Sequence, residues 1–194
     1  MKNKLHGKKN EYNLFQITLT KSGKFAILIT MEQQLFLEQL QNIPKSCAFT
    51  GHRALDENFS ARNLRKEIKK AVEKGVEIFY CGMAMGFDLL AGEEVVKLKK
   101  KNEKIKLIAC IPCYQQEKNF SQEDKKRYSK LLKKVDEIVF VSENYFKGCM
   151  QKRDRYMADR ADMLITYCKK DTGGTAWTVK YFQKKYPLFK VVFL

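Results

Sequence analysis

The stretch YCGMAMGFDLLAGEE, residues 80–94, passes from an apolar strand pattern into a helical pattern and thereby decides the fold. Gly82 and Gly86 lie where the strand turns into the helix, and Asp88 follows in the first helical turn. Glycine at such a turn lets backbone N–H groups approach an anion, whereas a carboxylate there suits the helix dipole. The stretch therefore predicts either one wall of a phosphate-binding pocket or a tight turn with an acidic helix start.

From residue 45 onward the chain repeats this alternation of apolar strands with amphipathic helices. Helices are predicted at 60–75, 88–102, 122–134, 149–161 and 176–186. Predicted strands are SCAFTG (46–51), VEIFYCG (76–82), IKLIACIP (105–112), DEIVFVS (136–142), ADMLITYC (161–168) and FKVVFL (189–194). Such alternation predicts an α/β fold with a mostly parallel sheet covered on both faces. Ligands of such sheets bind at the carboxyl ends of the strands.

Composition indicates a globular chain without a membrane segment. Hydrophobic residues make up 44% of the 194 residues. No apolar run reaches the roughly 18 residues that a membrane helix needs, and the start lacks a signal-peptide pattern. We therefore predict a cytoplasmic protein with no membrane partner. Residues 1–30 are predicted to be an extension that is either poorly ordered or a local hairpin, and a short amphipathic helix is predicted to begin at Met31.

The six cysteines do not predict a metal site or disulfides. Four of them lie in or beside apolar strand-like runs, where a free cysteine behaves as a small hydrophobe. Cys110 and Cys113 have CxxC spacing, but no second CxxC and no nearby histidine completes a zinc site. We therefore expect reduced thiols and no bound metal.

The net charge of +16 indicates a partner that carries phosphate. Lysine outnumbers arginine and is scattered along helical faces, as in RKEIKKAVEKG and KKRYSKLLKKVDE. That scatter is typical of solvated surface and lacks the interleaved aromatic residues of a nucleic-acid groove. Nucleic acid is therefore the less favoured partner, and a small-molecule nucleotide the favoured one.

Three loops at the carboxyl ends of predicted strands indicate where that ligand binds. They are TGHR (50–53), GMAMGFD (82–88) and TGGT (172–175), and none matches the dinucleotide fingerprint or the P-loop. Convergence of three glycine loops on one sheet edge predicts a small-molecule anion or nucleotide site. The residues expected to bind the ligand are Thr50, Gly51, His52, Arg53, Gly82, Met83, Ala84, Gly86, Asp88, Gly173, Gly174 and Thr175.

The charged residues of these loops each have two interpretations. His52 either donates to a phosphate or acts as an acid or base, or it caps its own backbone. The fork of Arg53 suits a phosphate, unless it is an ordinary exposed arginine. Asp88 either accepts ribose hydroxyls or only complements the helix dipole. The charge-dense segment 148–164 is either a surface helix or a contributor to the same site.

Four blocks, FTGHR, GMAMGFDLLAGE, RDRYMADRADMLITYC and GGTAWTVKYF, resemble the YpsA-like branch of the SLOG superfamily over about residues 45–193. The resemblance implies a Rossmann-like, three-layer α/β/α domain, taken here as residues 31–194. Its glycine loops would bind a nucleotide or a derivative of the NAD, ADP-ribose or nucleoside phosphate type. A homodimer is a further expectation, because superfamily members often pair.

One departure from the family pattern bears on catalysis. LOG hydrolases of the superfamily have a PGGxGTxxE motif with an acidic catalytic residue, whereas this chain has TGGTAWTVK, with Thr172 in place of proline and Val179 and Lys180 at the acidic end. We therefore expect a sensor-like binding protein without a catalytic set. One alternative is a nucleotide N-glycosidase that uses Asp88 or Glu93 as its carboxylate. The second is a single-stranded nucleic-acid binding module.

Overall fold

The computed structural model describes residues 16–19, 25–28 and 45–194. The chain divides into two units, residues 1–43 and 44–194. In the first unit, strands β1 (Gln16–Leu19) and β2 (Phe25–Leu28) pair in an antiparallel manner. The boundary predicted between residues 30 and 31 and the helix predicted from Met31 lie outside the described residues.

The second unit alternates strands and helices, as the sequence predicts. Its strands are β3 (Lys45–Gly51), β4 (Val76–Cys81), β5 (Lys106–Ile111), β6 (Glu137–Phe140), β7 (Met163–Tyr167) and β8 (Lys190–Phe193). Its helices are α1 (Ala61–Glu73), α2 (Phe87–Lys99), α3 (Gln122–Leu132), α4 (Cys149–Ala158) and α5 (Gly174–Lys185), with a short 3-10 helix at Gln116–Asn119. The predicted α/β class is therefore confirmed.

The six strands form one sheet in the order β6-β5-β4-β3-β7-β8, and every neighbouring pair is parallel. The chain moves outward from β3 to β6 and then returns to the other side of β3 with β7 and β8. Right-handed crossovers consequently place α1–α3 on one face and α4 and α5 on the other, which gives the three-layer Rossmann-like arrangement. The strand order reverses between β3 and β7, and open α/β sheets bind ligands at that point.

Each face of the sheet has its own hydrophobic core. The core under α1–α3 includes Leu64 and Ile68, which the helical period of α1 places on one side, and the core under α4 and α5 includes Met157 and Phe182. Helix α1 begins where the Ser60 hydroxyl accepts a hydrogen bond from the Asn63 N–H at 3.2 Å. Within the described residues, no helix is long and apolar enough to cross a bilayer.

Candidate functional site

A cavity of about 280 Å³ opens at the reversal point of the strand order. Three loops at the carboxyl ends of β3, β4 and β7 contribute to it, and the first turns of α4 complete its wall. We call it the main cavity, and its lining residues are Thr50, Gly51, His52, Arg53, Ala84, Asp88, Met150, Arg153, Asp154, Gly174 and Thr175. The convergence of the three predicted loops on one sheet edge is thus observed.

His52 joins these loops to one another. Its backbone N–H donates to the Tyr167 carbonyl at 3.2 Å, which extends the β3–β7 pairing, and its own carbonyl accepts from the Phe87 N–H at 3.2 Å at the start of α2. Its imidazole Nε2 accepts from the Lys169 N–H at 2.8 Å. His52 therefore holds the loop after β7 against the loop after β3 in addition to lining the main cavity.

Arg153 forms a buried ion network below the main cavity. Its Nε lies 2.7 Å from Asp154 Oδ1, its Nη1 lies 3.9 Å from Asp88 Oδ2, and it also donates to the Gly82 carbonyl. All three charged side chains are buried. Because a buried charge is tolerated only when it is paired and hydrogen-bonded, this network fixes the floor of the main cavity.

Asp88 is not a fully ionised carboxylate in this setting. Burial raises its pKa to about 7, and the negative charge of Asp154 adds to that rise, while Arg153, the Ala84 N–H and Arg53 oppose it. The Ala84 N–H donates to Asp88 Oδ2 at 3.4 Å. Near neutral pH both protonation states of this carboxyl group are therefore populated, and it is able both to donate and to accept a hydrogen bond.

The N-terminus of α5 forms another wall of the main cavity. Gly173 precedes the helix with a φ of 91°, a left-handed conformation, and no side chain of residues 45–194 caps the helix. A Cβ atom added at Gly173 or Gly174 would meet no atom of these residues within 4 Å. The first N–H groups of a helix have no intrahelical partner, and Gly174 and Thr175 at this helix start line the main cavity, which is the arrangement that binds anions elsewhere.

Arg53 supplies the exposed positive charge of the main cavity. Among the described residues, no carboxylate forms an ion pair with its guanidinium within 4.0 Å. The backbone carbonyl of Arg53 packs against Gly86, which has a left-handed φ of 78°. A Cβ atom at Gly86 would overlap that carbonyl and would lie 2.8 Å from the His52 carbonyl oxygen. Arg53 is thus held by its backbone while its charged fork stays available.

Several predicted residues have packing roles and do not line the main cavity. Gly82 lies over Arg153, Gly86 lies over the Arg53 carbonyl, and Met83 is fully buried in the core. Gly173 precedes the cavity-lining Gly174. Gly82 and Gly86 are required by close contacts within the protein, whereas Gly173 is favoured by its left-handed φ of 91°.

Glu93 lies away from the main cavity. Its two carboxylate oxygens accept from Arg127 Nε at 2.9 Å and Nη2 at 3.0 Å, between α2 and α3. Glu93 follows Asp88 by five residues on α2, which corresponds to a rotation of about 140° around the helix axis. Its side chain therefore lies on another side of the helix. Of the two carboxylates proposed for catalysis, the structure brings only Asp88 to the site.

Three lining residues, Met150, Arg153 and Asp154, were not among the predicted ligand-binding residues. The signal for them was present, because the charge-dense segment 148–164 precedes the buried strand β7. Sequence patterns alone left that segment undecided between a surface helix and a contribution to the site. Burial of Arg153 and Asp154 decides for the site.

Comparisons with known proteins agree with this architecture. The sequence profile YpsA, described as the YspA SLOG family, matches residues 50–191. A UPF0398 protein of Halalkalibacterium halodurans is 27% identical over 154 residues, covering 73% of this chain and 82% of that protein. The SPbeta prophage-derived protein YoqJ of Bacillus subtilis is 32% identical over 120 residues, covering 56% of this chain and 70% of that protein.

Two solved structures share the fold. DNA processing protein A of Streptococcus pneumoniae superposes with a TM-score of 0.56 at 21% identity, and the match covers 80% of this chain but only 51% of that one. DNA processing protein A of Helicobacter pylori, which binds single-stranded DNA, superposes with a TM-score of 0.55 at 20% identity, over 79% of this chain and 67% of that one. This chain therefore spans about half the length of the pneumococcal protein.

Proposed function

Because the chain belongs to the YspA SLOG family, we propose that it binds a nucleotide or a nucleotide derivative in the main cavity. The phosphate lies at the N-terminus of α5, where the N–H groups of Gly174 and Thr175 and the guanidinium of Arg53 supply donors and positive charge. Asp88 lies on the opposite wall, where its carboxyl group accepts from or donates to ribose hydroxyls. The protein is a sensor-like binder in this proposal.

One observation carries the proposal. Among the described residues, nothing gives Gly174 a conformational or packing reason to be glycine, because its φ lies outside the left-handed region and a Cβ there would meet none of their atoms within 4 Å. By contrast, Gly51 has a packing reason, since a Cβ there would overlap the Phe87 ring. A glycine that the protein itself does not require, at an uncapped helix N-terminus, is accounted for by close approach of a ligand.

Calorimetric titration tests the proposal with NAD, ADP-ribose, nucleoside monophosphates and cyclic nucleotides as ligands. The key variant is Gly174→Ala, which folds normally but fills the space above the helix N-terminus. We expect its affinity for the bound nucleotide to fall at least about tenfold, as loss of one or two charge-assisted hydrogen bonds does. Gln183→Ala, an exposed change on the same helix, serves as the matched control.

Two results would contradict the proposal. One is the absence of binding to every ligand of the panel by a folded protein. The other is equal affinity of the parent protein and the Gly174→Ala variant, which would place the ligand elsewhere. Loss of affinity in Gln183→Ala as well would indicate a general change in α5 and would remove the argument for Gly174.

Single-stranded nucleic acid is the second candidate ligand. The net charge is +16, and α5 continues beyond Thr175 with Trp177 and Tyr181, whose rings stack at 5.3 Å. The Arg155 guanidinium from α4 lies 5.8 Å and 5.5 Å from these two ring centres. Folding thus brings together the cationic and aromatic groups that the sequence keeps apart, and such groups bind bases by stacking.

Fluorescence anisotropy with a labelled oligothymidine distinguishes this candidate. Binding should weaken steeply between about 50 and 200 mM salt, and Trp177→Ala should weaken it further. No binding at the lower salt concentration would exclude nucleic acid. Binding unaffected by Gly174→Ala but lost in Trp177→Ala would identify the surface formed by Trp177 and Tyr181, and not the main cavity, as the contact.

The hydrolytic alternative now rests on Asp88. An N-glycosidase needs a carboxylate near the ribose, and the pKa of about 7 that burial gives Asp88 suits a general acid or base. Incubation with the bound nucleotide, followed by chromatography of free base, is the measurement. Base release that disappears in Asp88→Asn would establish an enzyme, and intact nucleotide after prolonged incubation would support the binding role.

A further inference from the structure

A second cavity of about 330 Å³ adjoins the main cavity, and we call it the side cavity. The two share Arg53, Ala84 and Met150 as lining residues. A ligand whose phosphate lies at α5 therefore reaches the side cavity by passing Arg53. The side cavity is lined in addition by Gln116 and Asn119 of the 3-10 helix and by aromatic residues.

The lining of the side cavity suits a planar, uncharged group. Tyr145 is 74% exposed at its rim, and Phe120 lies partly buried in its wall. Arg53, at the boundary with the main cavity, is the only charged residue that the described part of the chain contributes to the lining. Aromatic faces combined with side-chain amides are the chemistry by which proteins stack a nucleobase and hydrogen-bond its edge.

The hydrogen bonds of Gln116 determine which atom of its side-chain amide is left without a partner. Its Nε2 donates to the Met83 carbonyl at 2.9 Å and to the Gly82 carbonyl at 3.3 Å. Because both partners are acceptors, the amide nitrogen must face them, and the orientation of the amide follows. Its Oε1 is buried and has no partner among the described residues. A buried acceptor without a donor is uncommon in folded proteins.

We propose that the side cavity is a nucleobase subsite that takes an amino-bearing base. The ring stacks on Tyr145, and its exocyclic amino group donates to Gln116 Oε1. That oxygen is shielded from solvent, so the incoming amino group displaces part of the lining. Met85 and Met150 also line the side cavity, and unbranched thioether side chains such as theirs adapt readily to a ligand. The inference rests on the proposed function, because it assumes that the phosphate lies in the main cavity.

Ligand-observed NMR titrations compare ribose 5-phosphate with matched nucleotide pairs. The purine pair is AMP and purine riboside 5′-monophosphate, which lacks the amino group, and the pyrimidine pair is CMP and UMP. In at least one pair we expect the amino-bearing member to bind about tenfold more tightly than its partner and than ribose 5-phosphate. Tyr145→Ala should weaken binding of the amino-bearing nucleotide about tenfold and should leave the affinity for ribose 5-phosphate unchanged.

Tyr114→Ala is the matched control variant. Tyr114 is 56% exposed and contacts Phe140, and it lines neither cavity, so its loss should change no affinity. If no nucleotide binds more tightly than ribose 5-phosphate, or if Tyr145→Ala weakens both alike, the base subsite is overturned while the phosphate site stands. If ribose 5-phosphate and all nucleotides fail to bind, the proposed function itself fails.

Discussion

The guanidinium of Arg153 occupies the position that a Cβ atom would take at Gly82. A carbon built there would overlap Arg153 and lie 2.6 Å from Asp88 Oδ2. Gly82 thus opens the space through which an arginine of α4 reaches below the β4–α2 loop. This loop is accordingly the floor of the main cavity, whereas the proposed function assigns the phosphate donors to α5.

Substitution of Gly82 and of Gly174 by alanine should have opposite consequences for stability. We expect Gly82→Ala to lower the free energy of unfolding by about 1–3 kcal/mol, because the added methyl group displaces a buried, paired guanidinium. We expect Gly174→Ala to leave it unchanged or to raise it by up to about 1 kcal/mol, because alanine favours the helix and meets open space. Urea unfolding followed by circular dichroism measures both.

The paired design isolates the packing argument. Both changes add one methyl group to a glycine in a strand-to-helix connection, and they differ in whether the protein fills the space next to that glycine. Equal stability of the two variants would show that Arg153 does not occupy the space above Gly82. A destabilised Gly174→Ala variant would show that the space above α5 is filled by the protein itself.

The buried carboxyl group of Asp88 should make stability depend on pH. Its pKa is about 7 in the folded protein and ordinarily near 3.8, so between these values the folded state holds a proton that the unfolded state has released. Stability therefore falls as pH rises through this range, by up to about 4 kcal/mol in total. Asp88→Asn, which mimics the protonated group, should remove this fall.

Unfolding free energies at about pH 5 and pH 8 for the parent protein and Asp88→Asn provide the test. The parent protein should lose more stability than the variant between the two pH values, and the variant should be the more stable of the two at the higher pH. A parallel pH dependence of both proteins would mean that Asp88 is ionised throughout, with Arg153 outweighing burial.

Neutralising Glu93 should not affect ligand binding. Its bidentate pair with Arg127 lies between α2 and α3, on a partly exposed surface, so Glu93→Gln should cost no more than about 1 kcal/mol of stability. Nucleotide affinity, and any base release, should match those of the parent protein. A loss of either activity in Glu93→Gln would require the carboxylate to reach the main cavity.

Removing the imidazole of His52 should loosen the loop after β7. His52→Ala deletes the acceptor of the Lys169 N–H, and a typical hydrogen bond of this kind contributes about 0.5–1.5 kcal/mol. Hydrogen exchange should show lost protection of the Lys169 amide, whereas amides in the middle of β3 keep theirs. Unchanged protection of Lys169 would assign its amide to another acceptor.

The fold followed from the sequence because its signals are local. Strand and helix periods, and glycine at the turns between them, place every strand and α-helix from β3 onward to within a few residues, whereas the 3-10 helix Gln116–Asn119 was not predicted. The three loops of the site followed for the same reason, since the carboxyl ends of parallel strands share one edge.

The division of roles within the site did not follow from the sequence, because it depends on contacts between distant residues. Gly82 and Gly174 both belong to predicted glycine loops at the ends of strands, yet only the structure shows that Arg153, 71 positions beyond Gly82, fills the space next to Gly82. The sequence also does not determine whether the Glu93 carboxylate reaches the site, for a related reason. Its direction depends on the rotation of α2 and on the position of Arg127 in a later helix.

The reversal of strand order between β3 and β7 also governs when the site can exist during synthesis. The wall that carries Thr50 and Arg53 is among the first parts of the sheet to be translated, and the wall that carries Gly174 is among the last. A nascent chain therefore completes β4, β5 and β6 before the opposing wall leaves the ribosome. A nucleotide bound as proposed therefore cannot assist the early stages of folding, because its site is complete only once β7 and the start of α5 are in place.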